Sequence, residues 1–163
     1  MNIIMWILLL ILILITAVFS IYFNRIPKNT MSFRESMDLT SVPVVTFLMN
    51  NNIKFNFLFD TGSDTSYLSV SSFELIKDSL TKVNAKTSVT GLGGIEDAVL
   101  YKTEFSYKGK KYEDIFGVLE GLDASFSNIK RASGVSINGI LGSKFFEKYK
   151  YVLDFKNLIA YTK

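Results

Sequence analysis

The chain has 163 residues, 18 Lys and Arg against 15 Asp and Glu, and neither Cys nor His. That length suits one domain, and the missing residue types exclude a thiol nucleophile, disulfides, a Ser-His-Asp triad and histidine- or thiolate-ligated zinc. Any reaction must use carboxylates, hydroxyls, lysines or backbone groups; no metal and no cofactor is expected.

In chain order, Ile3 to Phe23 carries no charged side chain. At ~1.5 Å per residue this run spans roughly 31 Å, close to the hydrocarbon thickness of a bilayer. The expectation is a single-pass membrane protein, with residues 1–24 as a transmembrane anchor and membrane contact through residues 3–23. A cleaved signal peptide would instead need a basic start, a shorter apolar run and a better cleavage site than Ala17–Ser20 offers. Arg25, Lys28 and Arg34 follow the run. The positive-inside rule puts the domain in the cytoplasm, a signal-anchor layout exports it, and the sequence leaves the side open. Residues 25–40, polar and containing Pro27, read as a juxtamembrane tether. Arg25 and Lys28 account for most of the net charge of +3. With Lys108, Lys110 and Lys111 flanking a hairpin turn, no nucleic-acid surface is expected.

Residues 41–163 read as one domain of short strands. Val42–Met49 is a strand and Asn50–Asn52 a turn. In the next strand Ile53, Phe55, Phe57 and Phe59 share one face, while Lys54, Asn56, Leu58 and Asp60 share the other, which places Asp60 toward a cleft. Ser66–Val70 is a further strand, and Ser71-Ser72-Phe73-Glu74 fits a capping box opening a short helix. Thr87–Thr90 and Val99–Tyr107 form two strands around Gly91–Glu96. Lys108-Gly109-Lys110 turns the chain into a strand over Tyr112–Leu119. Residues 121–136 show no clear element. Ile137–Gly142 is a short strand, Ser143 caps a brief helix, and a hairpin around Asp154–Asn157 ends the chain. The pattern is mostly β, a barrel or sandwich with one or two short helices. The remaining acidic residues read as ordinary surface.

Three stretches together resemble one family. Phe57-Leu58-Phe59-Asp60-Thr61-Gly62-Ser63 is similar to the two-apolar-then-Asp-Thr-Gly signature of aspartic proteases. Gly91-Leu92-Gly93-Gly94-Ile95 is similar to the glycine-rich flap of retroviral-type proteases, although a plain hairpin turn uses the same residues. Ile140-Leu141-Gly142 resembles the element that closes the active-site side of that lobe. The order and spacing fit one retropepsin-like lobe from about Val42 to Tyr161. The resemblance implies a single-lobe acid-protease β-barrel with Asp60 as the catalytic residue, supported by Thr61, Gly62 and Ser63. It also implies a substrate main-chain role for Asp64, whose usual basic partner is replaced by Ser143 and Lys144.

Amide hydrolysis without metal or covalent nucleophile can be run by two carboxylates about 3 Å apart that share one proton. Thr61 can brace the loop, Gly62 lets backbone pass close to the carboxylate, and Ser63 can donate to an Asp60 oxygen. No second Asp-Thr-Gly or Asp-Ser-Gly occurs. The expected enzyme is therefore an aspartic-type endopeptidase that works as a homodimer, pairing two Asp60 residues. It would take an extended peptide as an added strand, under a flap that closes over it. The alternative is a non-catalytic homodimeric peptide-binding module of the same fold. Taken alone, Asp60-Thr61-Gly62 is also ordinary Asx-turn chemistry.

Overall fold

Alternation in a phenylalanine-rich strand sets the centre of the fold. In the computed structural model, which describes residues 3–24, 28–91 and 94–162, Phe55, Phe57 and Phe59 of strand β3 (Lys54–Phe59) are all buried. Strand β2 (Val44–Met49) pairs with it antiparallel, Val45 opposite Phe57 and Phe47 opposite Phe55. Phe47 meets Phe57, Phe105 and Tyr112 edge-on at centroid distances of 5.8, 5.3 and 5.9 Å. Edge-to-face pairs of this kind add about 0.5–1.5 kcal/mol each beyond the area they bury. The core is therefore an interlocked aromatic cluster rather than an aliphatic one.

Eight further strands, five α-helices and a 3-10 turn at Lys77–Ser79 complete the described elements. In order they are α1 (Ile3–Asn24), β1 (Lys28–Ser32) and α2 (Arg34–Thr40), then β2 and β3, β4 (Ser66–Ser69) and α3 (Val70–Ile76). There follow β5 (Thr81–Gly91), β6 (Gly94–Tyr107), β7 (Lys110–Leu119) and α4 (Gly121–Ser133). The chain ends with β8 (Gly139–Leu141), α5 (Ser143–Tyr149), β9 (Tyr151–Asp154) and β10 (Ile159–Thr162). Seven strands form one sheet in the order β2-β3-β8-β4-β7-β6-β5, and a β2–β6 pairing (Leu48 opposite Ser106) curls it toward closure. The short β8 lies between β3, to which it is parallel, and β4, to which it is antiparallel. A second sheet has the order β1-β10-β9.

The β6–β7 turn is built as the sequence implies: Lys108 and Gly109 both take positive φ, as the tight hairpin turns that match strand twist require. Several elements differ from expectation. The stretch expected as a tether holds β1 and α2; Met31 and Phe33 are buried, and β1 pairs with β10. The cap of α3 is Ser69, whose hydroxyl accepts from the Ser72 amide, two residues ahead of the expected box. Residues 121–133 are a helix, α4. Its Leu122, Phe126 and Ile129 recur at helical spacing and pack on Val44, Leu58, Ile137 and Ile140. Gly134 ends it in the left-handed conformation, with its amide on the Lys130 carbonyl. The face of β3 opposite the phenylalanines thus lies under α4 and the 136–138 segment, where Asn56 bonds Ser136 and Asn138. Asp60 follows at the end of that face.

The expected membrane span is corrected as well. Among the described residues, no helix is long and apolar enough to cross a membrane. A single-pass membrane protein is therefore not supported.

Candidate active site

Asp60 is the first residue past β3, and neighbouring backbone fixes where it sits. Phe59 pairs with Leu141 in the parallel β3–β8 register, and the Asp60 amide continues that ladder by donating to the Leu141 carbonyl at 3.1 Å. On the other side the Phe59 amide donates to the Pro43 carbonyl at 2.8 Å. The chain then turns: the Ser63 amide donates to the Asp60 carbonyl at 3.3 Å, and the Gly62 amide donates to Asp60 Oδ1 at 2.9 Å. A Cβ at Gly62 would stand 3.1 Å from that same oxygen, so a side chain there would crowd the carboxylate. Asp60 is half-buried, while Thr61 and Gly62 are exposed. Oδ2 of Asp60 has no hydrogen-bond partner among the described residues.

The rest of the loop is clamped from α5. The Ser143 amide donates to the Ser63 carbonyl at 2.7 Å and the Lys144 amide to the Asp64 carbonyl at 3.1 Å. These are unpaired amides of a helix's first turn, which need acceptors in any case. The approach depends on Gly142, where a Cβ would fall 2.5 Å from the Thr65 carbonyl oxygen and 3.0 Å from that of Ser63. Both contacts are with backbone, which cannot swing aside. Ile140 and Leu141 are buried, Leu141 in the main core and Ile140 under α4.

The sequence-identified residues fall as follows. Asp60, Thr61, Gly62, Ser63, Ile140, Leu141 and Gly142 come together. Ser63 does not donate to Asp60; its hydroxyl bonds the Thr65 carbonyl at 2.8 Å and stiffens the loop from within. Asp64 has a basic partner after all, since Lys144 Nζ lies 2.8 Å from its Oδ2. The hydrogen bond from Lys144 holds the Asp64 carboxyl below its ordinary range, and Asp64 in turn raises the Lys144 ammonium. Both side chains are about two-thirds exposed (68% and 65%), so the pair contributes ~0–1 kcal/mol. Of the expected flap, Gly91 pairs with Gly94 and Thr90 with Ile95 at the end of the β5–β6 hairpin. Leu92 and Gly93 lie outside the described residues. Among the described residues no three acidic side chains come close enough to share a metal ion.

One group escaped the sequence reading. Asp114, on β7, accepts a hydrogen bond from Ser66 Oγ at 2.6 Å, and the same hydroxyl accepts from the Gly142 amide at 3.1 Å. Burial pushes the Asp114 carboxyl above its ordinary range, against the opposing pull of Ser66, the Ile115 amide and Lys148. The signal was available in the alternation Tyr112, Asp114, Phe116, which puts the carboxylate on a strand face whose other members are buried aromatics.

No protein-family model and no curated protein sequence matches the chain. Solved structures do match in fold. EIAV protease in complex with the inhibitor HBY-793 is 22% identical, with a TM-score of 0.50 over 70% of this chain and 93% of that one. A retropepsin-like aspartic protease from Rickettsia conorii is 18% identical, with a TM-score of 0.51 over 82% of this chain and 89% of that one. At these identities the likeness is one of fold: the chain has a retropepsin-like fold.

Proposed function

We propose that the chain is an aspartic-type endopeptidase that acts as a homodimer, with Asp60 of each copy forming the catalytic pair. The observation that carries this reading is the state of Asp60: a half-buried carboxylate on a backbone-clamped loop, with one oxygen unengaged among the described residues. A lone carboxylate cannot both deprotonate water and protonate a carbonyl. Two of them across a twofold axis can, because like charges so close share one proton. The ionised Asp60 takes a proton from water as the oxygen attacks the scissile carbonyl carbon, and the protonated Asp60 gives its proton to the carbonyl oxygen. The tetrahedral diol then collapses, the C–N bond breaks and the amine leaves with a proton. Exposed Thr61 and Gly62 stand beside the carboxylate where a second copy would approach. The substrate is an extended peptide, bound through its main chain, with the β5–β6 hairpin as flap and Asp64, held by Lys144, at the edge of the site.

The test is cleavage of a mixed peptide library by the full chain from acidic to neutral pH, with Asp60→Asn and a pepstatin-type inhibitor as controls. Cleavage that is lost in both controls supports the assignment. No cleavage at concentrations where sedimentation shows a dimer overturns it, and peptide binding without cleavage would favour the non-catalytic module. A fully active monomer would overturn the paired-Asp60 mechanism.

A further inference from the structure

We propose that Asp114 is a positioning residue for the Asp60 loop, acting through Ser66 and the Gly142 amide; the catalytic part of this rests on the protease reading above. The geometry is a directed chain of hydrogen bonds. The Gly142 N–H donates to Ser66 Oγ at 3.1 Å, and the Ser66 hydroxyl donates to Asp114 Oδ2 at 2.6 Å. A serine hydroxyl has one proton and can turn it in several directions. Because Asp114 takes that proton, the lone pairs of Ser66 stay turned toward Gly142. Successive bonds in one direction also polarise one another.

What Gly142 holds is the catalytic loop. Its neighbour Leu141 accepts from the Asp60 amide, and its neighbour Ser143 donates to the Ser63 carbonyl. The same residue packs so tightly on Thr65 that no Cβ fits. Asp114 thus reaches the Asp60 backbone through Ser66, Gly142 and Leu141 without touching substrate.

The surroundings give Asp114 no simpler purpose. Ser66 is buried, and Thr103, opposite Asp114 on β6, is buried too. A carboxylate in such a place raises the energy of the folded chain unless its hydrogen bonds are used. None of the described cations forms an ion pair with it. Lys102 and Lys148 turn to Glu113, at 2.8 and 3.8 Å, and Lys144 turns to Asp64. The charged groups around it are Glu113 on its own strand, Lys102 on β6, Lys144, Glu147 and Lys148 on α5, and Lys150 just after it. Together with Asp114 and Ile115 they line a groove of about 490 Å³. That groove gives protons access to the carboxyl.

The experiment compares Ser66→Ala, Asp114→Ala and Asp114→Asn in the full chain, by Gly142 amide hydrogen exchange and by kcat and KM across pH. Asparagine keeps an oxygen that can accept from Ser66; alanine does not. Gly142 protection should fall at least ~10-fold in Ser66→Ala and Asp114→Ala and persist in Asp114→Asn. In Asp114→Ala kcat should fall ~10-fold, with KM within about twofold, as displacement of a catalytic group away from the chemistry predicts. Asp114→Asn should recover most of that loss and remove from the pH profile one group titrating above the usual carboxylate range. Unchanged Gly142 protection in Asp114→Ala overturns the proposal, as does an equal kcat loss in Asp114→Asn and Asp114→Ala. If Asp114→Ala does not fold, Ser66→Ala against Asp114→Asn decides on the same two readouts. A parent chain that cuts no peptide overturns the protease reading instead, and Gly142 exchange still tests the hydrogen-bond chain.

Discussion

Two aspartate turns in this molecule use the same residue in opposite ways. In the β9–β10 turn, Asp154 Oδ1 accepts from the amides of Lys156 and Asn157, both at 3.0 Å, and Oδ2 accepts from the Asn157 side chain at 2.6 Å. Both oxygens are engaged, and the Asn157 bonds hold the carboxyl below its ordinary range. In the Asp60 turn the carboxylate takes one local bond, from Gly62, while backbone bonds to Leu141, Ser143 and Lys144 fix the loop. The first turn is held by its carboxylate; the second is held around it. A carboxylate that props up its own loop is bonded in the ground state and cannot readily become an acid or base. In the proposed protease the Asp60 loop would avoid that conflict, because other groups carry its support.

Exchanging each aspartate for asparagine separates the two turns most sharply. Asp60→Asn should reduce peptide cleavage by at least ~10³-fold with little change in Tm. Asp154→Asn should leave cleavage intact and lower Tm slightly. The reverse pattern in paired activity and melting measurements would mean that the two turns have been assigned the wrong way round.

Next in size is Gly142→Ala. With its Cβ driven into the Thr65 and Ser63 carbonyls, it should cost about 1–3 kcal/mol in chemical denaturation. Activity should fall further than that stability loss explains, because the support of Asp60 moves. Equal activity per folded molecule would show that the clamp does not position the carboxylate.

A third measurement uses pH. The Asp114 carboxyl is raised by burial, so its neutral form suits the fold, and the stability it lends is present below its unfolded pKa and lost as pH rises through the folded one. Asp114→Asn should therefore gain Tm over the parent as pH goes from about 4 to about 8. Asp64 has the opposite sign. Lowered by Lys144, it stabilises above its unfolded pKa, and that contribution fades as pH falls through the folded value. Because the pair is exposed, Asp64→Asn should change stability by less than ~1 kcal/mol, and less again in high salt. That is the smallest expected effect; a larger one in thermal melts at two salt concentrations would mean that the pair is shielded from solvent.

What could be read in advance was local. The alternation of Phe55, Phe57 and Phe59, the turn after Asp60 and the Ile140–Gly142 element are each written within a few residues. What could not be read depends on distant partners. β1 has an unremarkable polar sequence and is a strand only because β10, 130 residues on, supplies its ladder. Alternation puts Asp114 among buried aromatics, but its bond with Ser66 is visible only once β4 and β7 are set side by side. α4 is an intermediate case: its Leu122, Phe126, Ile129 spacing was visible, but its glycine and serines masked it. α1 shows the limit of composition, since a charge-free, largely apolar run implies a membrane span that the described helix does not support.

The β1–β10 ladder also determines where the folded unit can be cut. Residue 41, where strand periodicity becomes obvious, is not its start. Met31 and Phe33 are core residues, the Phe33 amide bonds the Leu158 carbonyl at 3.1 Å, and the Ser36 hydroxyl accepts from the Val44 amide at 2.8 Å. A fragment beginning at 41 would leave β10 as a bare edge beside an uncovered apolar floor, an arrangement that recruits other chains. Any shortened protein therefore has to keep β1 (Lys28–Ser32) together with β10.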